Sequence, residues 1–339
     1  MYLDKPVIGI PIGDPAGIGP EIAIKALMHE ELFDICKPLL IGNTKVLDKI
    51  IKTLGLYCGI NEVDYPDQGK YQKGTANVIN IDVQGIEKVE YGKIQQLAGK
   101  AAYEFIVKSI ELANEGLIDS VATTPINKEA IKAARINFIG HTEIFGALTG
   151  TEDPLTMFQV HNLRIFFLSR HVSIRKACDM VTRERLLDYI KRCSKALEML
   201  GVRSGSLAVA GLNPHNGEHG LFGKDETEEI TPAVEVAVEQ GIDVTGPVPA
   251  DSVFAQALKG KYSAVLSLYH DQGHIAAKTL DFEKTISLTI GMPFLRTSVD
   301  HGTAFDIAGT GSASETSMVE AVKLAAEYSF NYRQKAKLR

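Results

Sequence analysis

The chain has 339 residues, of which 45% are hydrophobic and 23% charged, with a formal net charge of −6 at pH 7. That length suits two globular domains, and an acidic balance without a basic stripe argues against a nucleic-acid surface. No apolar run approaches the roughly 20 residues that span a bilayer, and MYLDKPVIGIPIGDP lacks the basic start and apolar centre of a secretion signal, so a cytoplasmic protein without membrane contact is expected.

Residues 6–12 form a near-continuous apolar run, the pattern of a parallel strand covered on both faces. GDPAGIGPEI follows at 13–22, a glycine turn leading into a helix over 21–28 with Pro20 at its start. Such a turn can present helix amides to an anion, although it has neither the GxGxxG of a dinucleotide fingerprint nor the GK[ST] of a P-loop. Strands at 38–42, 76–81 and 119–123 alternate with helices at 45–54 and 97–114. This alternation predicts an α/β fold with a mostly parallel sheet. Lys128 follows the 119–123 strand, where open α/β sheets bind ligands.

In Gly140-His141-Thr142-Glu143, Thr142 is placed to cap a helix running past Leu148, and His141 is either a turn residue or a ligand. Two apolar runs, 155–160 and 163–169, flank His161-Asn162 and predict an antiparallel hairpin with a solvated His161. A helix is expected over 183–200 and a strand over 206–210, while the acidic run 224–229 reads as a solvated helix start. Asp251 or Ser252 is the expected cap of the next helix, 264–268 is a buried strand, and a helix over 314–328 precedes a basic, fraying tail at 331–339. The four cysteines, Cys36, Cys58, Cys178 and Cys193, form no CxxC and read as free thiols.

The stretch 262–309 gathers Tyr269-His270-Asp271-Gln272-Gly273-His274, Lys278, Arg296 and Asp300-His301-Gly302-Thr303 among apolar runs. His171, His215 and His270 each fall one to five residues beyond a predicted strand. In a parallel sheet those ends share one edge, so the three imidazoles can converge on a divalent metal that also takes substrate oxygens.

Five motifs, GDPAGIGPE at 13–21, GHTE at 140–143, LNPHNGE at 212–218, YHDQG at 269–273 and PFLRTSVDHGTAFDIAG at 293–309, together resemble the 4-hydroxythreonine-4-phosphate dehydrogenase family over essentially the whole chain. The resemblance implies two α/β/α domains similar to those of isocitrate and isopropylmalate dehydrogenases, paired in a homodimer with shared interdomain active sites. Boundaries are expected near residues 1–127 plus 300–339 for the first domain and 128–299 for the second. It implies His171, His215 and His270 as ligands of one divalent ion (Zn, Mg or Co), with both subunits contributing. His141, Thr142, Lys278, Ser287 and Arg296 match substrate-binding positions, Ser287 standing where the family usually has Asn. Asp14, His301, Gly302, Thr303, Ala304 and Asp306 match the region that holds NAD or NADP.

The implied reaction oxidises a secondary hydroxyl of a 4-phosphorylated four-carbon 3-hydroxy acid and releases CO₂. Lys278 is a candidate base, with Asp251 and Asp271 as rivals whose other readings are a helix cap and a partner orienting a metal-bound histidine. The substrate is 4-phosphohydroxy-L-threonine of the vitamin B6 (pyridoxine) route, or D-threonate or D-erythronate 4-phosphate, which gives dihydroxyacetone phosphate. GLFG at 220–223, HDQGH at 270–274 and FDIAG at 305–309 are closer to the second branch, and His274 either separates the branches or is a plain helix residue. A non-catalytic phospho-acid binding protein and a metal-dependent hydrolase or aldolase are the competing classes.

Overall fold

The computed structural model describes residues 5–203 and 205–336. The chain divides into two compact units, Met1–Pro154 with Gly291–Arg339, and Leu155–Ile290.

The first unit opens with β1 (Val7–Pro11), α1 (Gly19–Ala26), α2 (Glu30–Ile35), β2 (Lys37–Gly42), α3 (Thr44–Leu54), β3 (Gly59–Glu62) and β4 (Thr75–Asn80). It continues through α4 (Gln96–Asn114), β5 (Ser120–Thr123), α5 (Lys128–Ala133) and α6 (His141–Thr149). The second unit holds β6 (Leu155–Val160), β7 (Leu163–Phe167), α7 (Ile174–Asp179), α8 (Arg183–Leu200), β8 (Ser206–Ala210) and α9 (Thr231–Glu239). Its remaining elements are β9 (Val244–Val248), α10 (Ala250–Leu258), β10 (Tyr262–Ser267), α11 (His270–Leu280) and β11 (Ile286–Ile290). The chain then returns to the first unit with β12 (Leu295–Val299) and α12 (Thr316–Ala336).

Strand order in the first unit is β3-β4-β2-β1-β5-β12, all parallel. In the second it is β11-β6-β7-β10-β8-β9; β6 is antiparallel to both β11 and β7, and the other pairs are parallel. The predicted α/β class and the 155–169 hairpin are both present. Strand β1 is apolar throughout and β10 has an apolar centre at Ala264–Leu266, as suits strands covered on both faces, and their residues are buried almost throughout.

Local rules set the helix limits. The Asn43 side chain accepts from the amides of Lys45 and Val46 to start α3, and Gly55, at φ 62°, ends it in the left-handed conformation. Each unit has its own core. Leu39, Ile106, Val121 and Phe145 lie in the first, and Phe158, Ile165, Val209 and Val265 are buried in the second.

Several expectations differ from the structure. The unit limits fall at 154 and 291, not near 127 and 300. Helix α5 packs so tightly on α4 that a Cβ on Gly99 would overlap the Ala130 carbonyl, which keeps residues beyond 127 with the first unit. Strand β12, pairing with β5, carries 295–299 there too. Thr142 is no cap, since α6 starts at His141 after Gly140, and Glu143 accepts from the Ile139 amide at 2.7 Å. Neither Asp251 nor Ser252 caps α10, whose N-cap is Pro249. His161, rather than being solvated alone, has Nε2 3.4 Å from Asp281 Oδ2. The acidic run at 224–229 is not a uniformly solvated start, because Glu226 is 2% exposed. The predicted fraying tail is helical through Ala336, and residues 337–339 lie outside the described residues. Among the described residues, no helix is long and apolar enough to cross a membrane.

Candidate active-site residues

In the second unit β7, β10 and β8 lie side by side and parallel, and the chain leaving each carries one candidate histidine. Side chains stitch these exits together. Ser169 donates from Oγ to the Leu268 carbonyl at 2.9 Å, joining the β7 and β10 exits. Gln272 accepts from the Leu268 amide at 2.7 Å and donates to the Gly211 carbonyl at 2.8 Å, joining β10 to β8. A side-chain amide suits this position, because one end accepts and the other donates.

The rings of His171 and His270 have centroids 6.0 Å apart and line a cavity of about 580 Å³ with Arg170, Ser173, Tyr269 and Asp271. Imidazole nitrogens bind a divalent ion at about 2.1 Å, so two rings at this spacing fit two positions on one ion. Asp271 holds His270 by a 2.7 Å contact between Oδ1 and Nδ1, the arrangement that fixes a ligand's tautomer. Among the described residues, no three His, Cys, Asp or Glu side chains gather where they could hold a metal ion. His215 therefore does not join the His171–His270 pair in a three-residue group.

One turn beyond His270 on α11 lies His274, 7% exposed. Its ring stacks on His270 (4.0 Å, 25°) and on Phe167 (4.8 Å, 29°), and meets the Phe158 ring in a T-shaped contact with centroids 4.4 Å apart. Burial, aided by His270, Lys278 and Arg170, pushes its pKa down to about 4, against the opposing pull of Asp271. Lys278, another turn along, sets its Nζ 5.2 Å from the centre of the Phe282 ring. Asp251 and Asp271 both line a second cavity of about 710 Å³ between α10 and α11. Ser287 lies opposite Phe158 in the β11–β6 pairing, so the two side chains share a face.

His215 sits in an unusual turn. Five successive residues are left-handed, His215 at φ 51°, Asn216 at 57°, Gly217 at 74°, Glu218 at 45° and His219 at 56°. Four of them carry side chains, and a left-handed helical residue costs roughly 1–2 kcal/mol in an L-chain. Neighbouring groups over-determine the turn. Glu226 Oε1 accepts from the amides of Leu212 (2.8 Å) and Asn213 (2.7 Å), and its Oε2 accepts from Asn213 Nδ2 at 2.9 Å. Asn216 Nδ2 donates to the Pro247 carbonyl at 2.9 Å. A Cβ on Gly217 would sit 2.7 Å from the Gly223 carbonyl oxygen and 2.9 Å from Glu226 Oε2.

The first unit carries the other candidates. Arg296 on β12 is 4% exposed and donates from Nε (3.1 Å) and Nη2 (2.9 Å) to Thr123 Oγ1 at the end of β5. Its guanidinium carbon lies 5.3 Å from the centre of the Phe145 ring, and burial pushes its pKa down to about 9. His141 opens α6, with a sealed Nε2 that has no hydrogen-bond partner among the described residues. Burial first, and the charge of Arg296 second, hold His141 well below its ordinary pKa. A neutral imidazole beside a buried guanidinium suits an anionic ligand. Thr142 is the next residue on α6.

Turn 13–18 and the chain after β12 are locked together. The Ile18 amide donates to the Thr303 carbonyl at 3.0 Å, and Gly17 lies against Thr303 too closely for a Cβ. Lys25 donates to Glu21 Oε1 (2.9 Å) and to the carbonyls of Gly311 (2.6 Å) and Ala313 (2.7 Å). Within this segment His301 Nδ1 is 3.0 Å from the Gly302 carbonyl, Ala304 is left-handed at φ 40°, and Asp306 is exposed. Asp14 is fully buried, and its Oδ2 has no hydrogen-bond partner among the described residues. Burial pushes its pKa up to about 6 against the amides of Ala16 and Asn127.

Sequence patterns did not single out Thr123, Phe145 or Glu226. Gln272 was visible inside YHDQG, but its stitching role was not.

Imidazoles at the ends of parallel strands, and a buried guanidinium beside a neutral histidine, suit an α/β enzyme of small anionic metabolites. The chain belongs to the family described as pyridoxal phosphate biosynthetic protein PdxA, whose profile matches residues 34–325. A Clostridium botulinum (strain Langeland) protein with the provisional name D-threonate 4-phosphate dehydrogenase is 59% identical over 98% of this chain and 100% of its own. A Fusobacterium nucleatum protein with the same provisional name is 59% identical over 96% of this chain and 98% of its own. The crystal structure of 4-hydroxythreonine-4-phosphate dehydrogenase from Klebsiella pneumoniae superposes with a TM-score of 0.88 at 37% identity, covering 96% of this chain and 100% of that one.

Proposed function

We propose that the chain oxidises and decarboxylates a four-carbon 3-hydroxy acid phosphorylated at C4, with D-threonate 4-phosphate as the first candidate. It is an oxidoreductase acting on a CH–OH group. The observation that carries the substrate choice is the 59% identity, across 98% of the chain, to a protein provisionally named for that acid. The 37% identity to the Klebsiella enzyme supports 4-phosphohydroxy-L-threonine as the second reading.

A nicotinamide dinucleotide (NAD or NADP) along Asp14, His301, Gly302, Thr303, Ala304 and Asp306 would accept the hydride from C3, and a divalent ion held by His171, His270 and His215 would polarise the C3 oxygen. Among the described residues His171 and His270 come together without a third such ligand, and the reading takes the chain as a homodimer in which both subunits contribute ligands. Arg296, His141 and Thr142 bind the anionic groups of the acid. Thr123 and Phe145 keep the Arg296 guanidinium aimed. Lys278 takes the C3 hydroxyl proton, and Asp271 holds the His270 ring in place. Ser287 offers a short hydroxyl that can donate or accept, suited to the C2 substituent. The resulting 3-keto acid loses CO₂, and from D-threonate 4-phosphate the three-carbon product is dihydroxyacetone phosphate.

NADH formation should be followed with D-threonate 4-phosphate, D-erythronate 4-phosphate and 4-phosphohydroxy-L-threonine, with and without a chelator. Turnover of the first acid, abolished by chelation, is expected. No reduced dinucleotide from any acid with either NAD or NADP would end the dehydrogenase reading.

A further inference from the structure

We propose that Glu226 is a positioning residue for His215. The inference rests on the reading of His215 as a ligand of the divalent ion. Glu226 lies 11 residues beyond His215 by chain number, and its carboxylate bonds to Leu212 and Asn213 and not to that histidine. Its buried carboxylate instead fixes the entrance to the left-handed turn. By accepting from the consecutive amides of Leu212 and Asn213 and from the Asn213 side chain, it sets the direction in which the chain leaves β8.

Asn213 is held a second time, through Nδ2 to Asp225 Oδ2 at 2.8 Å, and its carbonyl accepts from the Asn216 amide at 3.1 Å. This last bond closes the first left-handed step. Further along, the Phe222 amide donates to the Gly217 carbonyl at 3.0 Å and so ties the end of the loop back to the turn. Nothing in a run of residues such as His215, Asn216, Glu218 and His219 favours positive φ strongly enough to hold it unaided. Strain of this kind persists only when its surroundings over-determine it, and Glu226 supplies three of the fixing bonds. The carboxylate therefore acts on the imidazole through backbone geometry, and its loss lets the turn relax toward right-handed conformers that aim His215 elsewhere.

The test is calorimetric titration of the full chain with Co²⁺, comparing wild type with H215A, E226A, E226Q, H171A and the E226A double variants with each histidine change. Backbone hydrogen exchange over 211–225 without metal is measured alongside. H215A should weaken Co²⁺ binding about tenfold or more. E226A should weaken it comparably, should add nothing in the H215A background, and should keep its full effect in the H171A background. Exchange at Leu212 and Asn213 should accelerate in E226A. If E226A fails to fold, E226Q carries the comparison. Its amide oxygen still accepts from the two backbone amides while its NH₂ faces the Asn213 donor, so partial weakening is expected.

Wild-type Co²⁺ affinity in the Glu226 variants alongside weak binding by H215A would overturn the clamp and leave the ligand reading standing. Wild-type affinity in H215A would remove the ligand reading, and the clamp with it. An E226A effect that persists undiminished without His215 would assign Glu226 a general structural role and overturn the proposal.

Discussion

Two donors of Arg296, Nε and Nη2, point at a single oxygen, Thr123 Oγ1, at 3.1 and 2.9 Å. Strands β5 and β12 are adjacent and parallel, with Arg296 in register with Val121. One strand therefore dictates the orientation of the cation carried by its neighbour. Thr123→Val keeps the shape and removes the acceptor. The expected result is a KM for the phosphorylated acid raised about tenfold with kcat nearly unchanged, since a hydrogen bond to a charged group contributes roughly 1.5–3 kcal/mol. An unchanged KM would show that Thr123 does not orient Arg296.

Asp14 makes a pH-dependent prediction. Its pKa is raised in the folded chain from 3.8 to about 6. The folded form thus keeps a proton, between those values, that the unfolded form has lost. The group's contribution to stability is full below 3.8 and is lost as pH rises through about 6. Asp14→Asn removes this penalty. Its stability relative to wild type should rise as pH climbs from below 3.8 to above about 6, by up to about 3 kcal/mol in all, and then level off. Urea unfolding at several pH values measures this, and a pH-independent difference would contradict it. Dinucleotide binding by the same variant should weaken, a trade of function for stability.

The 2.7 Å contact from Asp271 to His270 Nδ1 predicts a metal effect without metal contact. Asp271→Ala should lower Co²⁺ affinity by about 10- to 100-fold, as loss of a ligand-orienting carboxylate does. Competition against a chromophoric chelator reads the affinity directly. Affinity within twofold of wild type would leave Asp271 for the rival role of proton acceptor.

Gly99 tests the fold. A methyl group there would overlap the Ala130 carbonyl across the α4–α5 contact, where neither backbone can yield cheaply. Gly99→Ala should cost about 2–3 kcal/mol in urea unfolding. Gly59→Ala is the control, because the nearest atom to its new methyl would be 4.0 Å away. Equal effects from the two changes would contradict the packing.

The strand exits bearing His171, His215 and His270 were legible because each is an apolar run that stops abruptly at polar residues. The parallel neighbours β7, β10 and β8 then bring those stops to one edge. Thr142 and Asp251 were misread as caps, because capping residue types close to a helix start do not fix which backbone amide comes first. Glu226 was hidden for a different reason. Its partners, Leu212 and Asn213, are 14 and 13 residues earlier. Those amides need it only because the chain turns left-handed, a path that hydrophobic periodicity does not encode. An acidic run with one deeply buried member looks, residue by residue, like a solvated one.

Assembly of the first unit from both ends of the chain imposes an order on its birth at the ribosome. When residue 290 has been added, every residue of the second unit exists, while β12 and α12 are still unmade. Strand β5 then has β1 on one side and no β12 on the other. An exposed strand edge invites pairing with other chains, so the nascent protein is open to aggregation along β5 until residues 295–299 have been made. A premature stop shortly after residue 290 would leave the first unit's sheet permanently short of its last strand.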